Sequence, residues 1–111
     1  MISEEDRKFL NEFQAHQQEL QAILIQKENL KLQSLEIDKA LEELEVSKEK
    51  EAYKIAGPIM IRKSSDELKT ELKERKENIN LRIKTLEKTE ERIMKRLKEM
   101  EPRLKEMIKK E

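Results

Sequence analysis

The chain has 111 residues and no formal net charge, and 45% of its residues are charged, 35% apolar and 3% aromatic. Such a chain can bury a narrow helical seam but not the thick core of a monomeric enzyme, so its composition favours a single domain of long helices over residues 1–111. It has no cysteine, no apolar run longer than residues 22–25 and an acidic N-terminus, which exclude disulfides and thiolate metal sites and predict a soluble, cytoplasmic protein.

The first predicted element is a long helix over residues 1–48. Ser3 followed by three carboxylates is typical of a helix start. Every seventh residue from Phe9 is apolar except one, and the row reads Phe9, His16, Ile23, Leu30, Ile37 and Leu44. The row that begins at Phe13 is interrupted at Lys27 and Ser34. One nearly complete row and one interrupted row favour a two-helix seam over a four-helix core.

Residues 49–64 have a different period and predict a β-hairpin. Four apolar residues occupy odd positions on either side of Gly57-Pro58, namely Tyr53, Ile55, Ile59 and Ile61. A three-residue loop, 56–58, would place these four on one side of the ribbon, with Ala52, Lys54, Met60 and Arg62 on the other. A two-residue loop of Ala56 and Gly57 would shift that register, and the sequence leaves both open. An isolated hairpin is marginal in water, so we expect strands from other chains to pair with it.

The last predicted element is a second long helix over residues 65–111. Ser64 with Glu67 three residues later forms a capping box. An unbroken apolar row follows at every seventh position, made of Leu72, Ile79, Leu86, Ile93, Met100 and Met107. A short connection between two matched helices predicts an antiparallel coiled coil. Pro102 cannot donate the helical hydrogen bond to Lys98, so we expect a kink or a new helix start there.

The charges divide between the two halves of the chain. Residues 1–51 hold 13 acidic and 7 basic side chains, for a net charge of −6, whereas residues 52–111 hold 12 acidic and 18 basic side chains, for a net charge of +6. Opposite charge favours packing of the first helix against the second over parallel self-association of either helix. Lys and Glu enrichment for solubility or heat tolerance would explain the number of charges but not this asymmetry.

Several chemical functions find little support in the sequence. His16 lies near Glu12 and Glu19, but one imidazole with surface carboxylates is a weak metal site, and we predict no metal and no cofactor. The single glycine leaves no phosphate-binding loop. Basic residues cluster around Arg92 and Lys95 without a base-reading set, so nucleic-acid binding is disfavoured, and a DNA-binding zipper would require parallel helices.

The hairpin carries a specific family resemblance. Tyr53-Lys54, Gly57, Ile59, Ile61-Arg62 and Asp66-Glu67-Leu68, at these spacings, resemble the hairpin region of the archaeal prefoldin β subunit. The flanking segments 39–44 and 83–100 agree, so the resemblance covers nearly the whole chain. One hairpin rather than two is similar to the β type rather than the α type.

The resemblance implies a fold and a function. The fold is mostly α with a small β element: an antiparallel two-helix coiled coil joined by one β-hairpin that assembles into an inter-subunit β-barrel. The complex implied is a hexamer of two α and four β subunits, which holds unfolded client polypeptides without ATP and delivers them to a group II chaperonin. From the sequence itself we expect the chain to bind neither nucleic acid nor membranes.

The resemblance also assigns residues to these roles. The oligomerisation residues would be Tyr53, Ile55, Gly57, Ile59 and Ile61. The client-binding residues would lie near the free ends of the helices, away from the hairpin. They comprise Phe9, Leu10, Phe13, Met100, Leu104, Met107 and Ile108. Flexible, polarisable methionine suits surfaces that accept varied partners, although methionine at seam positions also simply fills space. The alternative is a structural or tethering coiled coil that assembles through the same hairpin and binds no client.

Overall fold

The computed structural model describes residues 2–109, which form two helices with a β-hairpin between them in sequence. Helix α1 covers Glu4–Ser47, strand β1 Glu51–Ala56, strand β2 Ile59–Ser64 and helix α2 Ser65–Lys109. The contacts divide the chain into two compact units: a terminal unit of residues 1–28 and 84–111, and a hairpin unit of residues 29–83. The predicted order of helices and strands is confirmed.

Both helices begin with the predicted serine caps. The Ser3 hydroxyl accepts a hydrogen bond from the Asp6 amide at 3.1 Å, and the Ser64 hydroxyl accepts one from the Glu67 amide at 3.1 Å. Each bond satisfies one backbone donor that the first helical turn leaves without an intrahelical partner. Helix α1 ends just before Lys48, whose φ of 56° is left-handed and turns the chain out of the helix.

In the terminal unit, α1 and α2 run antiparallel. Asp6 pairs with Arg103 at 3.4 Å, Glu12 with Arg96 at 3.1 Å and Lys27 with Glu90 at 2.6 Å, so partner numbers fall along α2 as they rise along α1. The buried apolar side chains here are Phe9, Ile23, Ile93 and Met100. All four belong to the predicted seven-residue rows, which confirms the seam.

In the hairpin unit, the helices also run antiparallel. Asp38 forms an ion pair with Lys76, and Glu45 pairs with Lys69 at 3.1 Å. The buried apolar side chains are Leu30, Ile37, Leu68 and Ile79. Burying an aliphatic side chain contributes roughly 1.5–3 kcal/mol, so these rows outweigh any one exposed ion pair.

The ion pairs between the helices follow the predicted division of charge. An acidic residue of α1 meets a basic residue of α2 in every such pair among residues 2–109 except the one between Lys27 and Glu90. Opposite charge therefore supports the antiparallel arrangement. The arrangement contradicts a DNA-binding zipper, because that architecture needs parallel helices.

Helix α2 passes through Pro102 to Lys109, and the expectation of a new helix start at that position is wrong. Proline removes one helical hydrogen bond, which leaves the Lys98 carbonyl without its usual amide partner. Both Lys98 and Pro102 are exposed, so water can hydrate that carbonyl and reduce the cost. No helix within the described part of the chain is long and apolar enough to cross a membrane.

Candidate functional site

The hairpin turn consists of two residues, Gly57 and Pro58. Strands β1 and β2 pair antiparallel with Ala56 opposite Ile59 and Ile55 opposite Met60. Gly57 has a φ of +59°, and the proline ring fixes the next φ near about −65°. A positive φ followed by a negative φ is typical of a type II′ turn, whose twist matches that of the flanking strands.

This register corrects the expected arrangement of the hairpin side chains. Neither the loop of residues 56–58 nor the loop of Ala56 and Gly57 is present, because Ala56 is the last residue of β1. Changing a hairpin loop by one residue moves one strand's side chains to the opposite side of the ribbon. The expectation that Tyr53, Ile55, Ile59 and Ile61 share one side is therefore wrong.

The two sides of the ribbon have different surroundings. The outer face comprises Tyr53, Ile55, Met60 and Arg62, since Tyr53 is opposite Arg62 and Ile55 is opposite Met60. Its apolar members are exposed, with 61% of Tyr53, 74% of Ile55 and 64% of Met60 accessible to solvent. The inner face comprises Ala52, Lys54, Ala56, Ile59, Ile61 and Lys63. Three of these side chains, Ala52, Lys54 and Lys63, are half-buried.

Glu71 of α2 holds the inner face. One carboxylate oxygen accepts a hydrogen bond from Lys54 Nζ on β1, and the other accepts one from Lys63 Nζ on β2 at 2.8 Å. The hydrogen bond from Lys54, followed in importance by the one from Lys63, lowers the pKa of Glu71 from 4.5 to about 2. The same contact with Glu71 raises the pKa of Lys63. One ionised carboxylate therefore binds both strands to the helix.

Ser65 closes the junction between the hairpin and α2. It is the one buried polar residue among residues 2–109. Its hydroxyl donates to the Glu49 carbonyl at 2.5 Å, and its amide donates to the Lys50 carbonyl at 2.8 Å. These bonds satisfy the backbone where the chain enters β1 and fix that entry to the start of α2.

The residues assigned to client binding differ in exposure. Phe9 and Met100 are buried, Ile108 is exposed, and Leu10, Phe13, Leu104 and Met107 are half-buried. Phe9 and Met100 line one open groove of about 450 Å³, whose charged rim is formed by Glu5, Lys8, Glu12, Arg96, Glu99 and Arg103. The structure thus brings two of the seven together in the seam.

Arg103 covers the ring of Phe9. Its guanidinium carbon lies 4.5 Å from the ring centroid, and its Nη2 donates to Asp6 Oδ1 at 3.4 Å. An arginine over an aromatic face is attracted by the negative charge of the ring face. The floor of this groove is therefore shielded from water by a positively charged side chain.

Comparisons with known proteins identify the fold family. The profile of the family described as "Prefoldin subunit" matches residues 7–111 of the chain. The chain belongs to the prefoldin family. It is 37% identical over 100 residues to the prefoldin subunit beta of Methanothrix thermoacetophila, covering 89% of this chain and 83% of that protein. It is 33% identical over 92 residues to the Thermococcus kodakarensis prefoldin subunit beta, covering 82% of this chain and 79% of that protein.

A solved prefoldin structure agrees with this assignment. The crystal structure of the prefoldin beta subunit from Thermococcus strain KS-1 superposes with a TM-score of 0.79 and is 29% identical in sequence. The match covers 96% of this chain and 95% of that chain. The similarity of this prefoldin-family chain thus extends to the hairpin and both helices of beta-type subunits.

The sequence did not reveal the ion pair that Lys27 and Glu90 form in the seam between α1 and α2. Lys27 interrupts the apolar row that begins at Phe13, and Glu90 interrupts the row of Ile83, Leu97 and Leu104 on α2. The structure joins Lys27 and Glu90 at 2.6 Å, with side chains 13% and 18% exposed. A hydrogen bond to Glu90 raises the pKa of Lys27. Two positions that look like defects in separate rows therefore compensate each other, and their pairing favours the observed register over one that separates the two charges.

His16 also lies among charged side chains of the terminal unit. Its Nε2 lies 3.5 Å from Glu12 and its Nδ1 lies 3.7 Å from Glu19. A hydrogen bond from Arg96, with a smaller contribution from His16, lowers the pKa of Glu12. Within residues 2–109, no group of three or more His, Cys, Asp or Glu side chains is arranged so that it could hold a metal ion.

Proposed function

We propose that the chain is a subunit of an ATP-independent chaperone that holds unfolded polypeptides and delivers them to a group II chaperonin in the cytoplasm. It acts as one prefoldin-like domain over residues 1–111. Membership of the prefoldin family supports the proposal. The observation that carries it is the outer face of the hairpin, whose three large apolar side chains are exposed.

Assembly is the first part of the proposed function. The sheet described here has only two strands, so each strand has one edge with no strand beside it. A two-stranded sheet with an exposed apolar face is marginal by itself, and added strands would pair the open edges and cover that face. We propose that the hairpins of two α and four β subunits form a β-barrel this way. Tyr53, Ile55, Gly57, Ile59 and Ile61 take part, and Met60 joins Tyr53 and Ile55 on the outer face.

Client binding is the second part of the proposed function. Several apolar side chains of the terminal unit retain accessible surface, including Leu10, Phe13, Leu104, Met107 and Ile108. Contiguous exposed apolar patches on soluble proteins commonly mark contacts with partners. Phe9 and Met100 contribute the floor of the adjacent groove. Such shallow contacts would hold an unfolded chain without covalent chemistry or a cofactor.

Aggregation of a chemically unfolded protein provides the test. Ile108→Ser removes a side chain that is 64% exposed, and the matched control Ile25→Ser removes one that is 57% exposed in the same unit. With an α-type subunit present, we expect Ile108→Ser combined with Met107→Ser to reduce suppression of aggregation while the hexamer persists in sedimentation. The control should suppress aggregation normally. Equal suppression by both variants would contradict the assigned client site.

A tethering coiled coil is the second candidate function. The observation that favours it is the burial of Phe9 and Met100, because side chains within the seam are not available to a client. This function shares the fold and the assembly. It predicts a stable complex with an α-type subunit that does not suppress aggregation at equimolar amounts.

A further inference from the structure

The hairpin could pack on α2 by either side if only apolar content mattered. The outer face offers Tyr53, Ile55 and Met60, and the inner face offers Ile59 and Ile61 with two alanines. The hydrophobic effect is not directional, so it discriminates weakly between two apolar faces. Yet exposure of the outer face is what the proposed assembly requires.

Charged side chains distinguish the two faces. Lys54 and Lys63 lie on different strands but on the same inner face, because Lys54 is opposite Ile61 and Lys63 is two residues further along β2. Both reach Glu71 of α2, one through each carboxylate oxygen. A carboxylate can accept hydrogen bonds at both oxygens, so one side chain satisfies two ammonium groups.

The outer face has no comparable connection to a helix. Its ion pair among the described residues joins Arg62 to Glu51 at 3.7 Å, between the two strands themselves, and both side chains are well exposed. If the outer face packed on α2, Lys54 and Lys63 would point away from α2, and Glu71 would lose both of its lysine partners. The charges therefore favour one orientation of the ribbon.

We propose that Glu71 is a positioning residue that selects which face of the hairpin is presented to neighbouring subunits. This inference rests on the proposed assembly through the hairpin. Glu71 holds Lys54 and Lys63 against α2, and the opposite face, with Tyr53, Ile55 and Met60, is thereby kept available. The partner that this surface fits is another hairpin of the same complex.

The single tyrosine gives a direct reading of the orientation. Tyr53 is the only tyrosine and the chain has no tryptophan, so intrinsic fluorescence of the chain alone reports the outer face. Acrylamide quenching is measured at a concentration where sedimentation shows single chains. We expect Glu71→Lys to lower the quenching of Tyr53 about twofold, because the outer face then spends time against α2. Higher quenching of Tyr53 in the variant would mean that Glu71 attaches the hairpin to α2 without selecting a face. Unchanged quenching would mean that Glu71 neither attaches the hairpin nor selects a face. Either result overturns the proposal.

Two further variants separate charge from general damage. The exposed Glu74 is the matched control, and Glu74→Lys should leave the quenching as in the original chain. Combining Glu71→Lys with Lys54→Glu and Lys63→Glu reverses every charge of the cluster and should restore it. If Glu71→Lys lowers the helix content, Glu71→Gln takes its place in the comparison. Failure of the charge reversal to restore quenching in a fully helical protein would contradict the proposal.

Assembly with an α-type subunit completes the experiment. We expect Glu71→Lys to weaken assembly at least tenfold and the charge reversal to recover most of it. If the unmodified chain fails to assemble, the proposed function is wrong, while the tyrosine measurement on the single chain still decides the role of Glu71. If the variant assembles as tightly as the unmodified chain, Glu71 does not control the presented face.

Discussion

The helices and the strands of this chain treat their apolar side chains in opposite ways. Along α1 and α2, the seven-residue rows supply all the buried apolar residues among residues 2–109 except Leu68. Along β1 and β2, Tyr53, Ile55, Ile59, Met60 and Ile61 are all exposed, although strands favour such residues because they usually bury them. The helix pair buries its apolar rows within one chain, whereas the hairpin leaves its large apolar side chains exposed.

This difference separates two kinds of residue. Substitutions in the seam should change the stability of the single chain, because the seam is formed within it. Substitutions on the outer face should change association and leave the single chain folded, because the monomer already exposes that face.

The largest expected effect is on association. Ile55→Asp places a charge on the outer face, and burying that charge without a partner should weaken assembly with an α-type subunit by about a thousandfold or more. Val46→Asp is the matched control, because Val46 is 72% exposed in the same unit but lies on α1. Sedimentation velocity and circular dichroism should show a helical but unassembled Ile55→Asp protein. Normal assembly of this variant would contradict a role of the outer face in association.

A seam substitution should act on stability instead. Met100→Ala removes a buried side chain and should lower the free energy of unfolding by about 2–5 kcal/mol. Met94→Ala removes an exposed methionine of the same helix and should change it by less than about 0.5 kcal/mol. Chemical denaturation of the two variants provides the measurement. Similar losses from both would show that exposure does not separate these methionines energetically.

The seam ion pair should show a smaller and non-additive effect. Glu90→Met leaves the Lys27 ammonium in a half-buried position without its carboxylate and should destabilise the helix pair. Adding Lys27→Met replaces the pair by apolar side chains and should recover most of the loss. Thermal unfolding of both single variants and the double variant measures this coupling. Additive losses would mean that the two charges act independently.

Replacing Gly57 in the turn should lower the free energy of unfolding by about 1 kcal/mol. A Cβ added at Gly57 would meet no atom within 4 Å, so Gly57→Ala is opposed only by the positive φ. Asparagine tolerates that conformation better, and Gly57→Asn should lose less. Hydrogen exchange of β1 and β2 amides should rise more in the alanine variant, with the seam amides unchanged. Equal exchange in both variants would contradict the strain argument.

The smallest expected effect is a change in hairpin orientation as the pH falls. The pKa of Glu71 falls from 4.5 to about 2 in the folded chain, so its contribution is fully present above pH 4.5 and is lost as the pH falls through 2. Tyrosine quenching of the single chain should therefore change between pH 4.5 and pH 2, and Glu71→Gln should remove that change. A transition that persists in the variant would assign it to another carboxylate.

Much of the helical structure could be predicted because periodicity is a local property of the sequence. Phe9, Ile23, Leu30 and Ile37 recur every seven residues, and any partner helix would cover them. Ser3 and Ser64 marked the two helix starts because a cap is a short-range interaction. The pairing of Lys27 with Glu90 could not be predicted, since it depends on how two helices align and joins residues 63 apart in sequence.

The prediction of the hairpin register was wrong for a similar reason. Gly57 and Pro58 were recognised as turn residues, but adding Ala56 to the loop shifted one strand by one residue and exchanged its faces. Glu71 was missed because nothing in the helix pattern indicates which carboxylate reaches the strands. A signal was present: Lys54 and Lys63 share a face under the observed register, and an acidic residue follows in the first two turns of α2.

The antiparallel pairing has a consequence for how the chain folds. The Ser65 hydrogen bond to Glu49 joins residues only 16 apart, whereas the pair of Lys27 with Glu90 spans 63 residues and that of Asp6 with Arg103 spans 97. The entropy lost on closing a loop grows with its length, so the shortest loop closes most readily and each contact shortens the next search. The helix pair should therefore close like a zipper from the Ser65 junction and open first at Asp6 and Arg103, where hydrogen exchange would be fastest.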